Sequence, residues 1–101
     1  MNVDSRLEGT WNVQRRGGFL PPLGGVRKEI AGRQGTTRLA MLPGARFDVI
    51  GLELHYRFPF VGVVDVLAPS DDGFSGRTLM FGREIGSFRM TLLGAERKAT
   101  D

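Results

Sequence analysis

Apolar side chains recur along this chain at every second position far more often than at every third or fourth. In "GTWNVQR", residues 9–15, Trp11 and Val13 share one phase while Thr10, Asn12 and Gln14 share the other. "VRKEIA" at 26–31 follows, then "RQG" as a turn, then "TTRLAML" at 36–42, where Leu39 and Met41 alternate with Arg38 and Ala40. After the break "LPG" at 42–44, "ARFDVIGLELHYRF" at 45–58 reads as one long strand whose apolar phase changes. Phe47 and Val49 are odd, Leu52, Leu54, Tyr56 and Phe58 are even, and Gly51 sits where a bulge resets the register. Pro59 ends that strand. "FVGVVDVLA" at 60–68 forms the next, "PSDDG" turns into "FSGRTLMF" at 74–81, and "GREIG" is a tight connection into "SFRMTLL" at 87–93. Seven or eight short strands at intervals of about 8 to 12 residues predict an all-β fold, a single antiparallel up-and-down barrel.

Composition supports that picture. Fifteen glycines in 101 residues, scattered without a period, interrupt almost every window that would hold a helix and supply the turns. The length suits one domain with a modest core, here expected over about residues 7–94 with a polar tail at 95–101. With no cysteine and only one histidine, His55, disulfides, thiolate metal sites and multi-histidine metal sites are excluded. The start of the chain lacks a secretion signal, and no apolar run reaches the roughly 20 residues of a membrane-spanning helix. The expectation is therefore a cytoplasmic protein with no membrane insertion.

The formal charge of +3 comes from twelve arginines and two lysines against eleven acids. These cations are scattered, and the tight pairs are Arg15-Arg16 and Arg27-Lys28. Charge at alternate strand positions describes a solvated outer face better than a phosphate-binding stripe, so nucleic acid is not the expected partner.

"LEGTWNV" carries the one local signature. Gly9 and Trp11, opening the first strand of an all-β chain, resemble the G-x-W motif of the lipocalin and wider calycin superfamily. "YRFPFVGVVDVLAPSDDGFSGRTLMFG" is similar to the second half of small bacterial lipocalin-like domains, with Tyr56 and Pro59 ahead of the aspartate-bearing strand. The chain is shorter than a typical lipocalin and has no recognisable second or third lipocalin motif. The resemblance implies that Trp11 closes the narrow end of the barrel under a stacked arginine, Arg89 or Arg97. It also implies that "GGFLPPLGG", residues 17–25, is the long loop across the mouth, with Phe19, Leu20 and Leu23 as a lid. Nitrobindin-like haem barrels share the motif, but His55 is the only axial ligand available, and no cofactor is expected.

The expected ligand-binding set comprises Trp11, Leu39, Met41, Leu54, Tyr56, Met80, Phe88 and Met90 facing inward, together with the lid residues Phe19, Leu20 and Leu23. The leading function is binding of a small apolar or amphipathic molecule in the lumen. Two alternatives remain open. One is a solid-cored module that self-associates, as a homodimer, through the apolar loop or a strand edge; the other is an OB-like barrel binding single-stranded nucleic acid. No nucleophile-base pair or carboxylate pair stands at a persuasive spacing, which favours binding over catalysis. Asp71 and Asp72, followed by Gly73, read as a turn cap.

Overall fold

The computed structural model describes residues 5–18, 26–39 and 44–93. A 3-10 turn, Ser5–Leu7, leads into eight strands: β1 Gly9–Gly18, β2 Val26–Ala31, β3 Gln34–Leu39, β4 Ala45–Ile50, β5 Glu53–Tyr56, β6 Val63–Ser70, β7 Gly73–Met80 and β8 Arg83–Leu92. Each pairs antiparallel with the next, and β8 pairs back onto β1, so the sheet closes into an up-and-down barrel. Closure pairs every strand with a neighbour on each side, although Gln14–Gly18 of β1 have no partner on β2.

The segment read as one long strand is two. Ile50 pairs with Glu53 across a two-residue turn, Gly51-Leu52, with Gly51 at φ 61°. Glycine takes that backbone freely, and a turn opening on positive φ matches the twist of a hairpin. The phase change at Gly51 thus marks a reversal of direction and not a bulge. The last connection also differs from expectation. Phe81-Gly82 makes the β7–β8 turn, with both residues at positive φ, while Arg83 to Gly86, the rest of "GREIG", belong to β8, where the register shifts opposite Thr78 and Leu79.

Alternation then places one phase of each strand inside. The buried apolar core is Leu7, Trp11, Val13, Ile30, Phe47, Val49, Leu54, Leu67, Phe74, Phe88 and Met90. Phe47, Leu54 and Met90 are fully buried, each contributing about 1.5 to 3 kcal/mol by leaving water. Small residues set the wall spacing for the rings: a Cβ on Gly35 would stand 2.5 Å from the Phe47 ring, and one on Gly76 would collide with Phe88. Outward positions such as Arg27, Arg46, Glu53, Arg77 and Glu84 are polar and exposed.

The two ends are unlike. At one end lie the two-residue turns 32–33, 51–52 and 71–72 together with the 3-10 turn, which seals it: the Trp11 indole N–H donates to the Leu7 carbonyl at 2.8 Å, and Trp11 meets Phe74 edge to face. Trp11 is buried at this end, and the cation that the resemblance implies is not over its ring. Arg89 points outward because its neighbours Phe88 and Met90 point in, and it stands 3.6 Å from Asp72. Arg6 instead lies over the Phe74 ring, 5.8 Å from its centre. Arg97 is outside the described residues. At the opposite end, the mouth, stand the turns 57–62 and 81–82 and the strand ends that 19–25 and 40–43 connect.

Candidate functional site

Three charged residues occupy positions in the apolar phase of their strands. Lys28 lies between Val26 and Ile30 on β2, Asp65 between Val63 and Leu67 on β6, and Arg15 follows Trp11 and Val13 on β1. The phase that buries their neighbours carries all three toward the lumen. Lys28 and Asp65 are 3% and 2% exposed.

Burying two charges costs several kcal/mol apiece unless each is paired and hydrogen-bonded. Here every donor finds an acceptor. The Lys28 ammonium donates to Thr37 Oγ1 and to the Tyr56 hydroxyl, both at 2.7 Å, and stands 3.0 Å from Asp65 Oδ2. Tyr56 donates to the same Asp65 oxygen at 2.8 Å, and Thr78 donates to Asp65 Oδ1 at 2.7 Å. With the Tyr56 proton committed to Asp65, the 2.7 Å contact between Thr37 Oγ1 and Tyr56 OH is a bond donated by Thr37. The rings of Phe47, Tyr56 and Phe88 surround the ammonium, their centres 5.2 to 5.6 Å from Nζ. Strands β2, β3, β5, β6 and β7 are thereby tied together through the lumen.

Protonation follows from these contacts. Burial pushes the Tyr56 phenol up to about 12, against the opposing pull of the Lys28 charge. Burial alone would lower the Lys28 pKa, but the fields and hydrogen bonds of Tyr56 and Asp65 outweigh it, and Lys28 titrates above its ordinary value. A raised folded-state pKa means that the native state holds the proton more tightly, so stability is complete below the unfolded pKa of about 10 and falls as pH rises through the folded values. Denaturant midpoints should therefore be level up to about pH 10 and decline between pH 10 and 12, and Tyr56→Phe should flatten part of that decline. The cluster forms a structural floor across the lumen.

Arg15 is different. Its Cα partner is Phe88, so its side chain shares the inward face, and Nη1 lies 2.7 Å from where a Cβ on Gly86 would stand, one pleat nearer the mouth than Phe88. Nη1 is buried, yet it has no hydrogen-bond partner; among the described residues only Ser70 Oγ shares that condition. An unsatisfied buried donor costs about 1 to 3 kcal/mol, more for a charged group, so this is where a ligand atom gains most. The lumen charge points the same way: Lys28 and Asp65 cancel, and Arg15 leaves one positive charge in excess.

The expected site residues divide accordingly. Trp11, Leu54, Phe88 and Met90 are buried in the lumen, Tyr56 is the hub of the polar cluster, and Leu39 lies half-buried on β3, opposite Val26 near the mouth. Met80 does not line the interior: at the end of β7, beside the β7–β8 turn, it has run past the wall of the barrel and is 42% exposed. Phe19, Leu20, Leu23 and Met41 lie outside the described residues. His55 is on the outer face, bonded to Glu53 at 2.8 Å and directed away from the lumen.

Sequence reasoning missed Lys28, Asp65 and Arg15, and it assigned the pairs Arg15-Arg16 and Arg27-Lys28 to a solvated face. That is correct for the exposed Arg16 and Arg27 and wrong for their partners, because adjacent strand residues point to opposite sides. The available signal was a charge in the apolar phase. An open groove of about 570 Å³ on the outer face of β1 to β4 carries Glu8, Glu29 and Arg46, and neither unpartnered buried atom lines it. No family model, no curated protein and no solved structure matches the chain.

Proposed function

We propose that the barrel binds a small amphipathic anion, head group first, through its mouth. The observation that carries this reading is the inward Arg15 guanidinium, whose buried Nη1 is unpartnered above a floor in which every other charge is satisfied. Below it, Phe88 and the Lys28–Asp65 cluster fill the lumen, so an anionic head stops at Arg15. The tail then lies between Val26, Leu39 and Val63, apolar residues of the inward phase near the mouth. A carboxylate matches the planar fork of arginine in two parallel hydrogen bonds. Kinship with the calycin barrels is part of the same proposal, supported by the closed meander and by Gly9-x-Trp11 at the sealed end.

Native mass spectrometry of the protein purified without detergent, followed by solvent extraction, tests the proposal. A retained acidic amphiphile, or uptake of added decanoate at one equivalent, is the expected result. A bare chain that takes up no decanoate at millimolar concentration would overturn it and favour a solid-cored module.

A further inference from the structure

Most of the exposed large apolar side chains gather at one end of the barrel. Phe58, Phe60 and Val61 on the β5–β6 turn are 87%, 48% and 61% exposed, and Phe81 on the β7–β8 turn is 80% exposed, with Met80 beside it. The two turns form one unit: the Phe81 amide donates to the Gly62 carbonyl at 2.8 Å, and the Phe81 ring covers Gly62 so closely that a Cβ there would clash. Phe81 is also the only non-glycine described residue with positive φ, 50°, at a turn position where asparagine or glycine ordinarily sits. A bulky residue in that conformation costs about 1 to 3 kcal/mol. The fold thus carries strain in order to hold a phenylalanine out into solvent.

Charge is arranged along the same axis. Arg16, Arg27 and Arg83 are exposed near the mouth, and none is in an ion pair with a described residue, while the one exposed carboxylate of that end, Glu84, is held by Arg77 at 3.3 Å. Glu8, Glu53, Asp71 and Asp72 stand at the sealed end together with Arg6, Arg33 and the Arg89 that faces Asp72. An aromatic tip ringed by arginines that have no ion pair among the described residues complements a surface that is apolar within and negative above. It does not complement itself, because two mouths face to face would set like charges against each other.

We infer that the mouth rim, Phe58, Phe60, Val61 and Phe81 flanked by Arg16, Arg27 and Arg83, docks the barrel end-on onto the surface of an anionic lipid bilayer. The phenylalanines enter the acyl boundary and the arginines meet the phosphates above it. The barrel stays outside the membrane, and the contact does not depend on whether the lumen holds a ligand.

Vesicle flotation of the full chain with phosphatidylcholine alone, and with phosphatidylcholine containing one third phosphatidylglycerol, reads this directly. Binding to the anionic vesicles at least tenfold stronger than to the neutral ones, weakened by salt, is expected. Phe58→Ser with Phe81→Ser should reduce it at least tenfold. Phe81→Asn, which suits the turn better, should weaken binding while leaving the thermal midpoint equal to or above that of the wild type, separating docking from folding. Equal binding by the variants, no binding to anionic vesicles, or a dimer by light scattering that Phe58→Ser with Phe81→Ser dissolves in the absence of lipid would each overturn the inference.

Discussion

Lys28→Met should lower unfolding free energy by about 3 to 5 kcal/mol, the largest effect expected of any single substitution in this barrel. Methionine keeps most of the stem volume, so the loss does not come from a cavity. It comes from Asp65, which at 2% exposure would keep only Tyr56 and Thr78 as donors and no counter-ion. For a domain this small that is a large share of total stability. The double variant Lys28→Met with Asp65→Asn should recover at least half of the loss, because asparagine carries no charge, accepts from one of the two hydroxyls and donates its amide N–H to the other once that hydroxyl rotates. Urea denaturation of the three variants measures both quantities, and a strictly additive double variant would show that the pair is not coupled.

Arg15→Met, one strand away, should do the opposite. It removes a buried donor with no partner and keeps the apolar stem, so stability should rise by up to about 1 kcal/mol. Affinity for an anionic amphiphile should fall about 10- to 100-fold, the worth of a charge-assisted pair. A substitution that stabilises the fold and weakens binding is the mark of a group retained for a ligand. A loss of stability would instead identify Arg15 as a strut of the wall.

Much of the barrel was written in the alternation. Trp11 and Val13, Phe47 and Val49, and Phe88 and Met90 face inward as their spacing implies, because a period of two on a closed sheet leaves each residue one choice, in or out. Where a turn or strand end intervenes, the pattern loses its meaning. Gly51 shifts the phase whether the chain bulges or reverses, and only the pairing of Ile50 with Glu53 decides that it reverses. Met80 has the inward phase of Thr78 but lies at the barrel's rim, a matter of strand length and stagger that local sequence does not encode. The resemblance offers Arg89 or Arg97 as the cation over Trp11, whereas the parity of Arg89 turns it outward.

The candidate site was legible in principle. Lys28, Asp65 and Arg15 each interrupt an apolar phase, and a charge there is either an error of phase or a buried group with a purpose. What sequence did not supply was the partnership across strands. Thr37, Tyr56, Asp65 and Thr78 come from four strands and meet only because the sheet closes, and the contrast between the satisfied Lys28 and the unsatisfied Arg15 exists only in three dimensions.

Binding of an anionic head at Arg15 is read most directly by calorimetric titration of the wild-type protein with decanoate and with decan-1-ol. The two ligands share a tail and differ in charge. One site that favours decanoate at least tenfold is expected, with the preference erased in Arg15→Met. Equal affinity for the two, or the same preference in the variant, would contradict it.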